Sequence, residues 1–252
     1  MKRDAAVFTI VQNDSWMARR WLTYYEKHFA AEDIYILDHL LIDQPCTDEF
    51  KGRCQIQHIK YPFSFDHWWL KDTVCKKQHE LLRGYNKVLL AEIDEFITPN
   101  LGKYTGLADY VKKFEGDVVK CTGYNVVQMN GEPPLDLESP LLAQRTHWRY
   151  HHHFNKPLLS QVQLEWRIGF HSADNYDDRP PDPDLYLVHL KWICLERLLK
   201  KNEEQCRRMW QFYDMINNLG YESRILNREQ IAEYIDTMGP ATPMPESIRQ
   251  IV

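Results

Sequence analysis

The first half of the chain alternates short apolar runs with amphipathic segments. Ala5 to Val11 is continuously apolar and β-branched, as expected for a strand that is covered on both faces. Three good helix N-caps follow at Asn13, Asp14 and Ser15, ahead of apolar residues at helical spacing, and Ile34 to Leu37 is the next apolar run. This alternation predicts a mostly parallel sheet with helices on both faces.

The same alternation continues towards the middle of the chain. Gln55 to Ile59 predicts a third strand, and Asp66 to Arg83 predicts a helix that Gly84 ends. Val88 to Ala91 is wholly apolar, which predicts a strand in the sheet interior, and it runs directly into three carboxylates: Glu92, Asp94 and Glu95. Because ligands of such sheets bind outside the carboxyl ends of the strands, these acids mark the predicted site.

The second half has fewer regular signals. Its pattern predicts, in order, a helix over Tyr104 to Phe114, a strand over Asp117 to Gln128, surface loops over Gly131 to Pro140 and Asp174 to Asp184, a strand over Leu185 to Leu190, a long helix from Leu195 to Tyr213 and a short helix from Asn227 to Met238. No repeat or low-complexity linker interrupts the sequence. We therefore predict an α/β fold in a single domain over residues 1–252, with helices at the C-terminus.

Composition narrows the class of protein. The formal net charge of -5 and the pI near 6.1 argue against binding to nucleic acid or to an anionic membrane surface. The six cysteines form no C-x-x-C pair, so we expect reduced thiols. No signal peptide or transmembrane segment is evident, which predicts a cytoplasmic protein. The 8 Trp, 14 Tyr and 10 Phe either fill the core or stack on sugar rings.

The acidic segment predicts a metal site. Glu92 and Asp94 point to the same side if the strand continues through them, and paired carboxylate oxygens suit Mg²⁺ or Mn²⁺. Such a cation neutralises charge on a diphosphate leaving group. An isolated E-x-D sequence is more often solvated surface, but here four apolar residues precede the pair and Phe96 follows it.

The segment from Val88 to Ile97 resembles the D-x-D-E-F signature of family 2-like glycosyltransferases, with Glu92 where the signature has its first Asp. Thr9 to Asp14, Trp21 to Tyr25 and Ile34 to Asp38 are similar to that family's first strand, first helix and second strand. The resemblance implies a GT-A-like fold and an inverting, hexosyltransferase-type enzyme of polysaccharide biosynthesis. Its donor would be a nucleoside-diphosphate sugar, a UDP-sugar first, its acceptor a glycan or lipid-linked hydroxyl, and its cofactor Mn²⁺ or Mg²⁺.

The resemblance also implies roles for individual residues. Asp94 matches the metal-binding Asp, and Glu92 matches an acid that reaches the ribose or the metal. Asp38 matches an acid that contacts the nucleobase, and the backbone from Val11 to Asn13 matches the edge of the nucleotide pocket. His189 matches a histidine that completes the coordination; the alternative is a hydrogen-bonded core histidine. Residues 1–100 would then bind the nucleotide sugar, residues 101–190 the acceptor, and residues 191–252 would form C-terminal helices.

Other candidates rest on residue type alone. Lys76 lies on the helix before the acidic strand and either reaches a phosphate or belongs to a solvated helix face. An inverting transfer needs a general base, and His171 and Asp174 are the first candidates, with Glu165 next.

Two other functions remain open from the sequence. A nucleotidyltransferase also uses paired carboxylates, but it usually carries a glycine-rich phosphate loop after the first strand, and Val11 to Asp14 contains no glycine. The second alternative is a non-catalytic carbohydrate-binding protein of the same fold. It is supported by Glu92, which stands where the signature has its first Asp. For an enzyme that uses a lipid-linked acceptor, peripheral attachment at the inner membrane face is a further expectation.

Overall fold

The computed structural model describes residues 1–40, 45–60, 64–129, 131–176 and 179–252. The strands are β1 (Arg3–Val11), β2 (Ile34–Leu40), β3 (Gln55–Lys60), β4 (Tyr85–Leu90), β5 (Glu95–Pro99), β6 (Val118–Val126), β7 (His147–Tyr150), β8 (Pro157–Ser160), β9 (Asp182–His189) and β10 (Ala241–Pro243). The helices are α1 (Ser15–Tyr25), α2 (His67–Gly84), α3 (Leu107–Lys113), α4 (Leu195–Cys206), α5 (Phe212–Ile216), α6 (Arg228–Asp236) and α7 (Glu246–Arg249).

One sheet contains strands from both halves of the chain. Its order is β10-β7-β6-β8-β4-β1-β2-β3, and the first four strands in sequence pair in parallel. The second half adds antiparallel pairs of β8 with β4 and of β6 with β8 and β7, while β9 pairs in parallel with β6 and antiparallel with β5. The predicted α/β class, a sheet flanked by helices, is confirmed, with the parallel pairing concentrated in the N-terminal half.

The local sequence explains the elements that carry the site. The β1 side chains are buried from Ala6 to Phe8 and at Val11, as a central strand requires. Asp14 caps α1 by accepting a hydrogen bond from the Met17 N–H, and Asp66 caps α2 by accepting one from the Trp69 N–H. Both caps set the direction in which the chain leaves the sheet edge.

Two predictions about elements are wrong. β4 ends at Leu90, so the strand does not continue through Glu92 and Asp94, which lie in a turn. The long helix predicted from Leu195 to Tyr213 is two helices, because residues 209–211 pair with the extended backbone at Phe65. The Phe65 N–H donates to the Met209 carbonyl, and the Gln211 N–H donates to the Phe65 carbonyl.

The start of the last long strand also differs. β9 begins at Asp182, inside the predicted loop, and residues 177–178 of that loop lie outside the described residues. Nowhere in the described ranges is there a helix with both the length and the apolar character that a bilayer crossing needs.

Candidate active site

The acidic turn lies at the edge where the parallel strands end. β1 ends at Val11, β2 at Leu40 and β4 at Leu90, and all three run in the same direction. β9 brings His189 to this edge, since its pairing with β5 sets His189 opposite Glu95. Segments that are far apart in the sequence therefore meet at one place.

Glu95 stabilises the turn between β4 and β5. Its backbone N–H donates to the Glu92 carbonyl at 2.9 Å. Its side chain turns back, and Oε2 accepts a hydrogen bond from the Glu92 N–H at 3.0 Å. Glu95 is fully buried. This carboxylate is therefore used inside the turn and does not face a ligand.

A buried lysine balances two of the three carboxylates. Lys156 Nζ lies 2.7 Å from Glu95 Oε1 and also donates to Glu92 Oε2. Burial alone would lower the pKa of the Lys156 ammonium, but the two carboxylates hold it above its usual value. Burial, Glu95 and Asp94 raise the pKa of Glu92 to about 7, against the opposing effect of Lys156.

Asp94, the third carboxylate, faces a histidine. His189 Nε2 lies 3.6 Å from Asp94 Oδ2, which is longer than a hydrogen bond. His189 Nδ1 lies 2.6 Å from Asn125 Oδ1, which accepts its proton and leaves the lone pair on Nε2. Burial would raise the pKa of Asp94, but His189 in its protonated form, together with Lys201 and Lys191, holds it well below the usual value.

This pair suits a divalent cation as two of its ligands. Among the described residues, no group of three or more His, Cys, Asp and Glu side chains converges as a metal site. Glu92, the predicted third ligand, is held by Lys156. Mg²⁺ is commonly bound through one or two protein carboxylates, with water and substrate phosphate in the other positions. Asp94 Oδ2 would supply one such carboxylate oxygen and His189 Nε2 an imidazole nitrogen, with the remaining ligands supplied from outside the protein.

Asp94 lines two neighbouring cavities, of about 330 Å³ and about 140 Å³. The smaller cavity is also lined by three cations, Lys191, Arg197 and Lys201. Arg197 and Lys201 both bind the buried Asp14, whose pKa they hold below its usual value although burial would raise it. The smaller cavity thus offers ammonium and guanidinium N–H groups of the kind that bind phosphate oxygens.

Two of the residues predicted at the nucleotide pocket lie close to this basic group. Val11 is buried at the end of β1. Asn13 has a left-handed backbone, with φ 47°, and its Nδ2 lies 3.4 Å from Glu204 Oε2 on α4. Asn13 also lines a surface cavity with Arg197 and Lys201. The end of β1 is therefore adjacent to the cations of α4.

Asp38 and Lys76, which are also predicted at the nucleotide pocket, are placed differently. Asp38 is buried and accepts hydrogen bonds from the Cys46 N–H at 2.9 Å and from Thr47 Oγ1 at 2.7 Å. It holds the loop after β2, of which residues 41–44 lie outside the described residues. Lys76 is exposed on α2 and does not line either of the cavities at Asp94.

The structure separates the candidate bases. His171 lines the larger cavity, and its Nδ1 lies 2.7 Å from the His153 carbonyl. Desolvation at the cavity wall and the nearby Lys156 lower the pKa of His171. Asp174 pairs with Arg167, with an Nε–Oδ1 distance of 2.5 Å, and Glu165 lies 3.6 Å from His79. Neither of these two carboxylates lines the larger cavity.

Several lining residues of the site carry no signal in the sequence. The larger cavity includes Lys156, Asn125 and His67, and the buried Asp214 contacts His67 through its carboxylate. His67 and Asp214 are 147 positions apart. Neither lies in a motif, and only the break between α4 and α5, which the sequence pattern missed, brings them together.

No family model matches this sequence, and no curated protein sequence matches it. Several solved structures show a distant likeness, among them two of S. aureus TarS. S. aureus TarS has a TM-score of 0.38 and 13% identity, over 82% of this chain and 40% of the TarS chain. A structure of S. aureus TarS 1-349 in complex with UDP-GlcNAc has a TM-score of 0.33 and 12% identity, over 73% of this chain and 58% of that one. This chain thus spans less than two thirds of either structure's length.

Proposed function

We propose that this protein is a metal-dependent glycosyltransferase that moves a hexose from a nucleoside-diphosphate sugar to a hydroxyl group, with inversion at the anomeric carbon. The observation that carries the proposal is the position of Asp94. It lies at the carboxyl edge of the parallel strands, faces His189 Nε2 at 3.6 Å, and lines both the larger cavity and the cavity with the three cations.

The donor diphosphate would lie in the smaller cavity. Lys191, Arg197 and Lys201 would donate hydrogen bonds to the diphosphate oxygens. Asp94 and His189 would hold a cation that also binds the diphosphate. That cation, when bound, neutralises the negative charge that grows on the leaving diphosphate. The nucleoside would extend towards Asn13 at the end of β1.

The larger cavity would take the transferred sugar and the acceptor. Its lining includes Phe65, Trp192, Trp210 and Tyr234, and aromatic faces of this kind pack against the apolar faces of sugar rings. A cavity of about 330 Å³ is large enough for a small ligand. The aromatic lining favours a carbohydrate acceptor over a phosphate-rich one.

The test is a donor screen. UDP-GlcNAc, UDP-glucose, a GDP-sugar and a dTDP-sugar are added with Mn²⁺ or with EDTA, and the melting temperature and the release of nucleoside diphosphate are measured. We expect one class of donor to raise the melting temperature only with the metal, since a ligand that binds the folded state stabilises it. If no donor stabilises the protein and none is turned over with Mn²⁺ or Mg²⁺, the proposal is wrong.

A further inference from the structure

The larger cavity contains a second constellation, formed by His67 and Asp214. His67 is the first residue of α2, and Asp214 lies in α5. His67 Nδ1 lies 2.8 Å from Asp214 Oδ2, and the same oxygen accepts the His67 backbone N–H at 3.0 Å. Two hydrogen bonds to one carboxylate oxygen therefore fix the imidazole ring relative to its own backbone.

Asp214 is fully buried, and among the described residues its Oδ1 has no hydrogen-bond partner. A buried carboxylate that contacts little except an imidazole orients the ring and stabilises the positive charge that forms when the ring takes up a proton. The contact also determines the tautomer, because Nδ1 must carry the proton that Oδ2 accepts. The lone pair is then on Nε2.

The outer edge of the His67 imidazole borders the larger cavity. The side chain of His67 is 14% exposed, it lines the larger cavity, and no hydrogen bond to Nε2 is found within the described residues. Gly220 lies beside this edge: a Cβ added there would lie 3.2 Å from both Cε1 and Nε2. Glycine at this position leaves the outer edge of the ring accessible from the cavity.

The surroundings of the dyad are mainly aromatic. The rings of Phe65 and Trp210 lie 4.9 Å and 5.8 Å from the imidazole, centroid to centroid. The charged groups near it are Asp214 and Glu222, and Lys191 Nζ is paired with Glu222 at 3.1 Å. Among the described residues named here, Glu222 is already paired with Lys191, whereas the imidazole keeps an unpaired nitrogen at Nε2.

We propose that His67, positioned by Asp214, is the general base that activates the acceptor. The acceptor oxygen attacks the anomeric carbon while its proton passes to His67 Nε2. The bond from the anomeric carbon to the diphosphate oxygen breaks, and its electron pair stays on the diphosphate. Water in place of a sugar hydroxyl gives hydrolysis of the donor by the same step. The inference rests on the glycosyl transfer proposed above, and it assigns the proton to a residue pair that the sequence did not indicate.

Donor hydrolysis tests the assignment without a known acceptor. Metal-dependent release of nucleoside diphosphate is measured for the wild type with the donor that stabilises it best, and then for His67→Asn. Asparagine keeps an N–H for Asp214 but has no atom at the place of Nε2. We expect turnover to fall by about a hundredfold or more, with stabilisation by donor and Mn²⁺ unchanged. The matched control is His79→Asn, on the same helix and outside the cavity, with turnover within about twofold of the wild type.

Chemical rescue separates catalysis from a purely structural role. In His67→Gly, added imidazole should restore turnover by about tenfold, because it can enter the vacated space and bind Asp214. The double variant His67→Gly/Asp214→Asn should lose that rescue. Wild-type turnover with an equally active His67→Asn would overturn the dyad and leave the proposed function standing. A wild type that neither binds nor turns over any nucleotide sugar would overturn the proposed function and the dyad with it.

Discussion

Two carboxylates of the same turn, Glu95 and Asp94, have opposite surroundings. Glu95 is fully buried, accepts a backbone hydrogen bond within the turn and lies 2.7 Å from Lys156 Nζ. Asp94 retains 19% exposure of its side chain, faces His189 across 3.6 Å and lines two cavities. Glu95 is neutralised inside the protein, whereas Asp94 is available to a ligand.

The difference shows that the role of an acid in such a turn depends on its partner and not on its spacing. The sequence places three carboxylates within four positions and cannot tell them apart. Lys156 makes one of them structural, and His189 makes another a candidate metal ligand. The variants below test this division between a buried ion pair and an open one.

The largest effect is expected on stability, from Lys156→Met. Methionine fills the space but leaves the carboxylate of Glu95 buried without an ammonium, and breaking a buried ion pair on one side costs about 3–5 kcal/mol. Chemical denaturation of the two proteins measures the difference in the free energy of unfolding. Lys76→Met, at an exposed position of α2, is the control and should change it by about 0.5 kcal/mol at most. A loss below about 1 kcal/mol for Lys156→Met would show that Glu95 does not depend on this lysine.

The sequence predicted the sheet edge, and the resemblance pointed to His189, but neither indicated Lys156. The apolar run before Glu92 and the caps at Asp14 and Asp66 are local signals, so β1, β4, α1 and α2 were predicted within a few residues of their observed bounds. Lys156 follows an asparagine and precedes a proline in a segment without periodicity. Its role arises only when β8 pairs with β4 and β6, which is a long-range contact.

Asp38 illustrates the same limit. The family resemblance implies a nucleobase contact for Asp38, whereas in the structure its carboxylate accepts hydrogen bonds from Cys46 and Thr47. Those donors lie 8 and 9 positions later in the chain, and neither belongs to a recognisable motif. The sequence does not distinguish a buried acid that accepts hydrogen bonds from nearby donors from an acid that is available to bind a ligand.

The second prediction concerns Asp94→Asn, which tests whether the carboxylate that lines the cavities binds a cation. If Asp94 holds the catalytic cation, turnover should fall about a hundredfold or more, because a neutral amide is a poor ligand for a hard divalent ion. The free energy of unfolding should change by about 1 kcal/mol or less, since no buried charge loses its only partner. Asp109→Asn, in α3 and outside both cavities, is the control because its side chain is similarly exposed. Near-normal turnover of Asp94→Asn would remove the metal role from this residue.

His189→Gln should have a smaller effect, on the affinity for the cation. The variant removes the Nε2 ligand, so the apparent dissociation constant for Mn²⁺ with nucleoside diphosphate should rise by about tenfold. Calorimetric titration measures it. In the double variant with Asp94→Asn the two effects should not add, because both residues act on one ion. Additive effects would place His189 in a separate, structural role.

The smallest effect is expected from Glu92→Gln, and its sign depends on pH. One ammonium cannot neutralise two carboxylates, and burial, Glu95 and Asp94 raise the pKa of Glu92 from 4.5 to about 7 in the folded protein. The folded state therefore binds this proton more tightly than the unfolded state does, so wild-type stability falls as pH rises from about 4.5 to about 7. The glutamine variant has no carboxyl group at this position, so it lacks this pH dependence. The stability of the glutamine variant relative to the wild type should therefore be greater at pH 8 than at pH 4. The difference in the free energy of unfolding should be at most about 1 kcal/mol, since Glu92 is partly exposed. Denaturation at both pH values in EDTA measures this, and a difference that is constant or larger at pH 4 would show that Lys156 already neutralises Glu92 in full.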